Sequence, residues 1–355
     1  MVMLVLAIAC LGGCYQGANY YYMNSEKYTA GDVEITEKID TIYIDYSAGN
    51  VEVIRNTSGT TKIAETSSRE QPMSEKALMN DNSSTDEKVS MSDKLSTIDE
   101  EQGTSKEEQK NSSGVIRITE TASKELNEDQ MVHTWVDGSI LYVKYCASKK
   151  GIDMRNLNKK LKIEIPADYA FEMVNVSVSS ANASLENLES KNIQVTASSG
   201  NINVSGIANA VELSASSGNI VFGQQGGMDK VKLTTSSGCV TTTIEKTENL
   251  EIRTSSGDIQ VDAGNITTFD LNSSSGACEV RFLEAAQKAK VDTSSGNVRV
   301  YLPENPDLKA NVRTSSGKFY YDISFTKEGD AYINGDGNHY IEVSTSSGDV
   351  DFLRN

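Results

Sequence analysis

The chain has 355 residues, with 33 Lys and Arg against 50 Asp and Glu, and a formal net charge of −17. This acidity argues against nucleic-acid binding, which needs clustered basic side chains. The chain has only two His, which argues against a His-rich metal site and against catalysis by several His. Only 6% of the residues are aromatic and 37% are apolar. This composition predicts a narrow core of small and β-branched residues, together with a segment that does not fold.

The first residues predict an export signal. Residues 1–13 are apolar or small and too few to span a bilayer, and Cys14 follows them. The segment Leu11-Gly12-Gly13-Cys14 resembles the bacterial lipobox, which implies that a mature chain begins at a lipidated Cys14 on the outer face of a bacterial membrane. A plain secretory signal is the alternative. Residues 14–36 are then a polar tether.

A first solenoid rung is predicted at residues 37–56, and a disordered insertion follows it. Ile42, Ile44 and Tyr46 precede Ser47-Ala48-Gly49, and apolar residues alternate again after the glycine. Residues 57–113 contain no aromatic residue and few large aliphatic ones. Such a segment cannot offset its chain entropy by burial, so it is predicted to be disordered.

A repeat dominates the rest of the chain, residues 114–355. Ser-Ser-Gly recurs about every 18 to 21 residues, with one longer last step, and a degenerate copy stands at Ser179-Ser180-Ala181. Apolar residues stand seven and five positions before the glycines and two and four positions after them, with Thr242 as an exception, and mostly polar residues stand between them. The eight repeat glycines are Gly200, Gly218, Gly238, Gly257, Gly276, Gly296, Gly317 and Gly348.

This alternation predicts two half-buried strands in each repeat, joined at a corner. The inward parity changes at the glycine, so we expect the glycine to redirect the chain, with a positive φ that glycine tolerates. Two short strands cannot bury their own apolar face, and stacking of successive repeats buries it. The predicted fold is all-β, a parallel β-solenoid (β-helix) of about ten rungs and roughly 19 residues per repeat. Residues 318–355 are predicted to form the last rungs and a cap.

Several motifs carry a family resemblance. Strand–SSGN–strand repeats, a leading Ile-x-Ile-x-Tyr-Ser-Ala-Gly-Asn-Val-x-Val and a Lys-Leu-Lys-Ile-Glu-Ile-Pro before the array make residues 38–56 and 114–355 similar to the bacterial putative-adhesin family. The resemblance implies a β-helical domain on the cell envelope, of unknown function, with no catalytic residues or cofactors to carry over.

Individual candidate sites have plain structural interpretations. Cys278 stands in an inward column and is predicted to be a buried thiol, while Cys239 is predicted to point outward. The Ser and Thr columns beside the corner could form a hydroxyl array for a repeating ligand, but hydroxyls that satisfy a tight corner explain them more simply. Asp292 and Arg313 share an outward column, and with successive rungs they would form an adjacent, solvated ion pair.

Three functions follow as hypotheses. The leading one is a non-catalytic, membrane-anchored envelope protein that presents its solenoid surface to an envelope protein, a glycan or the membrane. The second is an envelope-stress or signalling component that binds a partner through the solenoid or residues 57–113. The third is a polysaccharide lyase or hydrolase, because outward Asp, Lys and Arg side chains occur on the predicted rungs.

Overall fold

A computed structural model describes residues 18–56 and 114–355. Within them, 21 strands join one hydrogen-bonded sheet, with two short 3-10 helices at Ser25–Lys27 and Glu128–Gln130. The strands are β1 (Thr29–Ala30), β2 (Val33–Ile35), β3 (Thr41–Arg55), β4 (Ile116–Ala122), β5 (His133–Asp137), β6 (Ile140–Lys144), β7 (Lys159–Ile165), β8 (Phe171–Ala197), β9 (Ile202–Ala215), β10 (Ile220–Thr235), β11 (Val240–Thr254), β12 (Ile259–Ser273), β13 (Cys278–Phe282), β14 (Lys288–Thr293), β15 (Val298–Leu302), β16 (Leu308–Thr314), β17 (Phe319–Tyr321), β18 (Thr326–Glu328), β19 (Ala331–Ile333), β20 (His339–Thr345) and β21 (Val350–Arg354).

The repeats stack as a parallel β-solenoid, which confirms the predicted fold class. Strand β10 pairs in parallel with β9 on one side and β11 on the other, and equivalent residues of successive repeats face each other. Leu233, for example, lies between Leu213 and Ile252. We call one turn of the solenoid a rung and name it by its corner residue. The strands of each rung therefore form their hydrogen bonds with the rungs on either side.

The core is a column of aliphatic side chains, as the alternation predicted. The inward positions of the Gly238 rung, Val231, Leu233 and Val240, are fully buried, and the same columns are buried along the repeats. One inward position per rung is small, and it holds a buried Thr in several rungs. A core this narrow has little room for aromatic rings, which explains their low share of the composition.

The corner glycines are required for a different reason from the one predicted. Only Gly276 of the eight has a positive φ, so the expectation of a left-handed corner is wrong for the other seven. The chain of each rung passes so close to the rung below that a Cβ on Gly257 would lie well under 3.0 Å from the carbonyl oxygen of Gly238. The column therefore excludes side chains because of backbone stacking.

Thr hydroxyl groups on the core side form hydrogen bonds with the backbone groups of the corner. Thr235 Oγ1 accepts a hydrogen bond from the Gly238 N–H at 3.1 Å and donates one to the Gly218 carbonyl at 3.1 Å. Thr254 makes the same two contacts one rung further. The buried Thr column thus bonds the glycine of its own rung to the glycine of the preceding one.

Asn and Asp side chains on the outer side form a ladder of hydrogen bonds with the backbone N–H groups that follow each corner. The residue after each corner is usually Asn or Asp, and its Oδ1 accepts a hydrogen bond from the backbone N–H at the same position of the next rung. Asn201 Oδ1 accepts from the Asn219 N–H at 2.9 Å, and Asp258 Oδ1 accepts from the Ala277 N–H at 2.8 Å. This contact explains why the repeat continues as SSGN or SSGD.

The ladder is interrupted where Ala277 supplies no acceptor for the next rung. We expect Ala277→Asn to give the Asn297 N–H an acceptor and to raise the free energy of unfolding by about 0.5–1.5 kcal/mol. Urea denaturation measures the change. Asn201→Ala, which removes an existing acceptor, should lower stability by a similar amount. An unchanged midpoint for Ala277→Asn alongside a clear loss for Asn201→Ala would contradict the prediction.

The first rung in the sequence is not the first rung in space. Strand β3, in the predicted 37–56 rung, pairs in parallel with β6 and β7 on one side and with β8 on the other. Residues 140–165 therefore form the terminal rung, and the Gly49 rung is the next one along the stack, between the terminal rung and β8.

The C-terminal end shows the same arrangement. Strands β20 and β21 pair with β14 and β15 on one side and with β16 and β17 on the other. The Gly348 rung thus lies between the Gly296 and Gly317 rungs, so the expectation that successive repeats simply stack to the C-terminus is wrong here. The long step of residues 318–348 allows this, because it lets the chain pass the Gly317 rung and return beneath it.

Antiparallel strands cover the ends of the stack. At one end β5 pairs with β6, and β4 pairs with β7. At the other end β19 pairs with β16. Such covers hide strand edges that would otherwise pair with other chains. Within residues 18–56 and 114–355, no helix has the length and apolarity needed to cross a membrane.

Candidate binding surface

An outward row of side chains, one from each rung, begins with three stacked aromatic rings. The Tyr43 and Tyr142 rings lie 5.5 Å apart between centroids and 13° from parallel, and Trp135 stacks on Tyr142 at 5.2 Å and 18°. Strand register produces this stack, because β3, β6 and β5 bring these residues directly opposite one another. The Lys27 ammonium lies 4.6 Å from the centroid of the Trp135 ring. We call this row and its continuation the outer row.

The outer row continues along the solenoid as amides and then charges. Asn175 lies opposite Tyr43 and donates a hydrogen bond to Gln194 Oε1 at 2.8 Å. The Lys232 Nζ lies 2.7 Å from a Glu212 oxygen. The remaining members, in spatial order, are Glu251, Asp270, Lys290, Glu342 and Asn311.

A shallow groove of about 220 Å³ lies beside the amide part of the row. The short side chain of Ala210 stands between longer neighbours and opens this space. The residues that line it are Met173, Asn192, Ile193, Gln194, Ala210, Val211, Glu212, Lys230 and Lys232. Its walls offer amide and charged groups for hydrogen bonds over an aliphatic floor.

The outer row is held in place before any ligand arrives. Stacking fixes the aromatic rings, and hydrogen bonds fix the amides, so a ligand that binds them orders few side chains. Aromatic side chains combine apolar area with polar edges and are enriched at interfaces. The arrangement is suited to non-covalent binding of an extended ligand. The sequence placed the amide and charged members in an outward column, but it did not place Trp135, Tyr142 and Tyr43 together, because β5 and β6 lie outside the repeat.

The predicted hydroxyl array divides into two parts. The Thr column is buried and occupied by corner hydrogen bonds, as the structural interpretation expected. The two serines before each glycine, such as Ser236 and Ser237, are exposed along the array. The eight predicted corner glycines stand at the bends between the paired strands.

A buried ionic cluster lies at the β3 end of the stack. Lys159 and Glu120 have side chains 0% and 2% exposed, with Nζ 2.9 Å from Oε1. Lys159 also donates to the Gln130 and Tyr145 carbonyls, and Glu120 accepts from the Tyr46 hydroxyl and the Val132 N–H. Burial lowers the pKa of Lys159 despite the adjacent carboxylate. The three donors of Lys159 and both oxygens of Glu120 are engaged, so the cluster has no free group for a ligand.

The remaining candidate ligands are dispersed. Cys278 is buried, as its column predicted, and burial raises the pKa of its thiol to about 12. Cys239 is exposed, also as predicted, and Cys146 is buried. His133 is buried, with Nδ1 2.9 Å from the Met131 carbonyl. In the part of the chain that the structure describes, no three His, Cys, Asp or Glu side chains are grouped as a metal site would need.

The predicted Asp292–Arg313 pair does not form. The inserted Gly348 rung places Ser344 between them, because Asp292 and Arg313 both face Ser344 from opposite sides. Asp292 instead pairs with Lys290, and the Arg313 Nη1 lies 3.6 Å from a Glu342 oxygen. Likewise Arg253 contacts Glu251 at 2.6 Å on the exposed surface. These charges form surface ion pairs.

Two predicted features fall outside the described residues. Cys14, the predicted lipidation site, and the predicted insertion at residues 57–113 both lie there.

Comparisons with known proteins identify a family. The model of the Toastrack DUF4097 family matches residues 98–352. A solved structure, of a putative cell adhesion protein from Clostridium sporogenes, aligns with 92% of this chain and 100% of its own, at 10% identity and a TM-score of 0.23. Similarity at that level carries no argument about function. No curated protein matches the chain.

Proposed function

The chain belongs to the Toastrack DUF4097 family, and we propose that it is a non-catalytic binding protein of the cell envelope, held at a membrane by lipid on Cys14. The observation that supports binding is the outer row, with its fixed aromatic rings, amides and adjoining groove. The lipobox resemblance supports anchoring. The ligand is an envelope component, a glycan or protein surface, that extends over several rungs.

The charges on the solenoid favour binding over catalysis. General acid–base chemistry uses groups whose pKa is tuned by burial in a cleft. Several of the outward acids and bases that suggested a lyase lie in surface ion pairs, among them Lys290–Asp292 and Arg253–Glu251, and Asp258 accepts a backbone hydrogen bond from Ala277. Groups in such solvated pairs lack the environment that activates a catalytic acid or base.

The binding surface can be tested with the full chain. We expect saturable sedimentation with at least one of three probes: purified peptidoglycan, a neutral polysaccharide, or isolated cell-envelope membranes. Tyr43→Ala and Gln194→Ala should each weaken that binding about tenfold, since a few central contacts carry most of the binding energy. Gln260→Ala, an exposed residue outside the outer row, should leave affinity unchanged.

Two results would contradict the proposal. Absence of saturable binding to all three probes would contradict a binding role for the outer row. So would a loss of affinity for Gln260→Ala equal to that for Tyr43→Ala and Gln194→Ala. In the same preparation, Cys14→Ala should move the protein from the membrane fraction to the soluble fraction. Retention of that variant in the membrane fraction would remove the lipid anchor.

A further inference from the structure

The outer edge of β17 differs from the other strands that end the stack. Strands β6, β7 and β16 are each covered by an antiparallel strand. Strand β17 pairs with β21 on its inner edge, and within residues 18–56 and 114–355 nothing pairs with its outer edge. Its Tyr320 and Tyr321 side chains are 51% and 46% exposed. An open strand edge with exposed aromatic side chains is a template for strand addition.

The strand register shows which backbone groups are free. The Lys318 carbonyl accepts from the Val350 N–H, and the Asp322 N–H donates to the Phe352 carbonyl. In a parallel pair, alternate residues direct both their N–H and C=O to the same neighbour. Lys318, Tyr320 and Asp322 therefore face β21. The N–H and C=O groups of Phe319 and Tyr321 face outward.

The sequence of this edge is complementary to itself. In an antiparallel pair of two β17 strands centred on Tyr320, Phe319 of each copy lies opposite Tyr321 of the other. The four outward N–H and C=O groups of each strand then form two hydrogen-bonded residue pairs. In the same register Lys318 lies opposite Asp322 of the other copy, twice. Tyr320 lies opposite its own copy, at a non-hydrogen-bonded position where side chains approach closely.

We infer that two copies of this chain associate through β17, as an antiparallel, two-fold symmetric extension of the sheet. Strands β6, β7 and β16 each pair with an antiparallel strand of the same chain. In the dimer, β17 pairs with an antiparallel strand of the other copy. Because both copies use the same strand edge, the contact is isologous and the association closes as a dimer. The inference is independent of the proposed ligand-binding function.

A cross-linking experiment tests both the contact and its register. In the full chain with Cys10, Cys14 and Cys239 replaced by Ser, Tyr320→Cys brings two thiols opposite each other. A directly opposite, non-hydrogen-bonded pair has a Cα separation of about 4.5 Å, within disulfide range. We expect mild oxidation to convert most of this variant to a covalent dimer on a non-reducing gel. Lys318→Cys, whose two copies lie several residues apart, should remain monomeric under the same conditions.

Sedimentation equilibrium of the otherwise unaltered full chain in detergent provides a second measurement. Lys318→Glu places an acid opposite Asp322 of the other copy at both symmetric contacts and should weaken the dimer about tenfold. Failure of Tyr320→Cys to cross-link, equal cross-linking by Lys318→Cys, or a sedimentation profile unaffected by Lys318→Glu would each overturn the inference. A folded Tyr320→Cys monomer is recognised by an unchanged circular dichroism spectrum, so a negative result is not confused with unfolding.

Discussion

Replacement of Gly257 by Ala is expected to lower the free energy of unfolding by about 3 kcal/mol or more. The added Cβ would overlap the carbonyl oxygen and carbon of Gly238 and approach the Cys239 nitrogen. Backbone atoms held by strand pairing on both sides cannot move aside as a flexible side chain would. The two rungs must therefore separate at the corner, with loss of hydrogen bonds beside it. Urea denaturation followed by circular dichroism measures the loss.

Gly223→Ala is the matched control. Gly223 also lies in a rung, but it has no positive φ, and a Cβ there would meet no atom within 4 Å. Alanine at an unstrained position restricts the unfolded chain, so stability should stay the same or rise by up to about 1 kcal/mol. A loss at Gly223 as large as that at Gly257 would show that strand propensity, and not close stacking, explains the glycine column.

Replacement of Lys159 by Met is expected to lower stability by about 3–5 kcal/mol. The substitution preserves most of the aliphatic volume but leaves the Glu120 carboxylate buried without its cation, and it removes the donor to the Gln130 and Tyr145 carbonyls. Thermal and urea unfolding both report the change.

Lys160→Met is the control for this prediction. Lys160 is the next residue, and its Nζ lies 2.7 Å from a Glu52 oxygen, but its side chain is 51% exposed. Exposed ion pairs contribute about 0–1 kcal/mol, so we expect a small effect. The double variant Lys159→Met with Glu120→Gln should recover part of the loss, because it removes the buried charge. Equal effects of Lys159→Met and Lys160→Met would contradict the assignment of a buried pair.

The repeat columns determined what the sequence could predict. Inward and outward positions follow directly from alternation, so the burial of Leu233 and Cys278 and the exposure of Cys239 were predictable. The Asn ladder had a visible signal, the recurring Asn or Asp after each glycine, but its role depends on an N–H in the next rung that only the stacked backbone reveals. The glycine column was recognised and its cause was misassigned, because a corner with positive φ and a close backbone contact both select glycine.

The spatial order of the terminal rungs could not be read from periodicity. Every rung presents the same alternation, so Val343 fits between Val291 and Val312 as well as it would fit beyond Val312. The Asp292–Arg313 expectation failed for this reason. The buried Lys159–Glu120 pair was also missed, because it joins strands outside the repeat and a Lys in Lys-Lys-Leu-Lys gives no sign that it is buried.

The inserted Gly348 rung has a consequence for the order in which the rungs assemble. Strands β20 and β21 follow β16 and β17 in the chain, yet they supply the inner neighbours of those two strands. The Gly317 rung has no paired edge to dock on until the Gly348 rung has added to the edge of β14 and β15. A stop codon or a protease that removed β20 and β21 would therefore detach two rungs from the stack. Docking of the Gly317 rung thus depends on strands that follow it in the sequence.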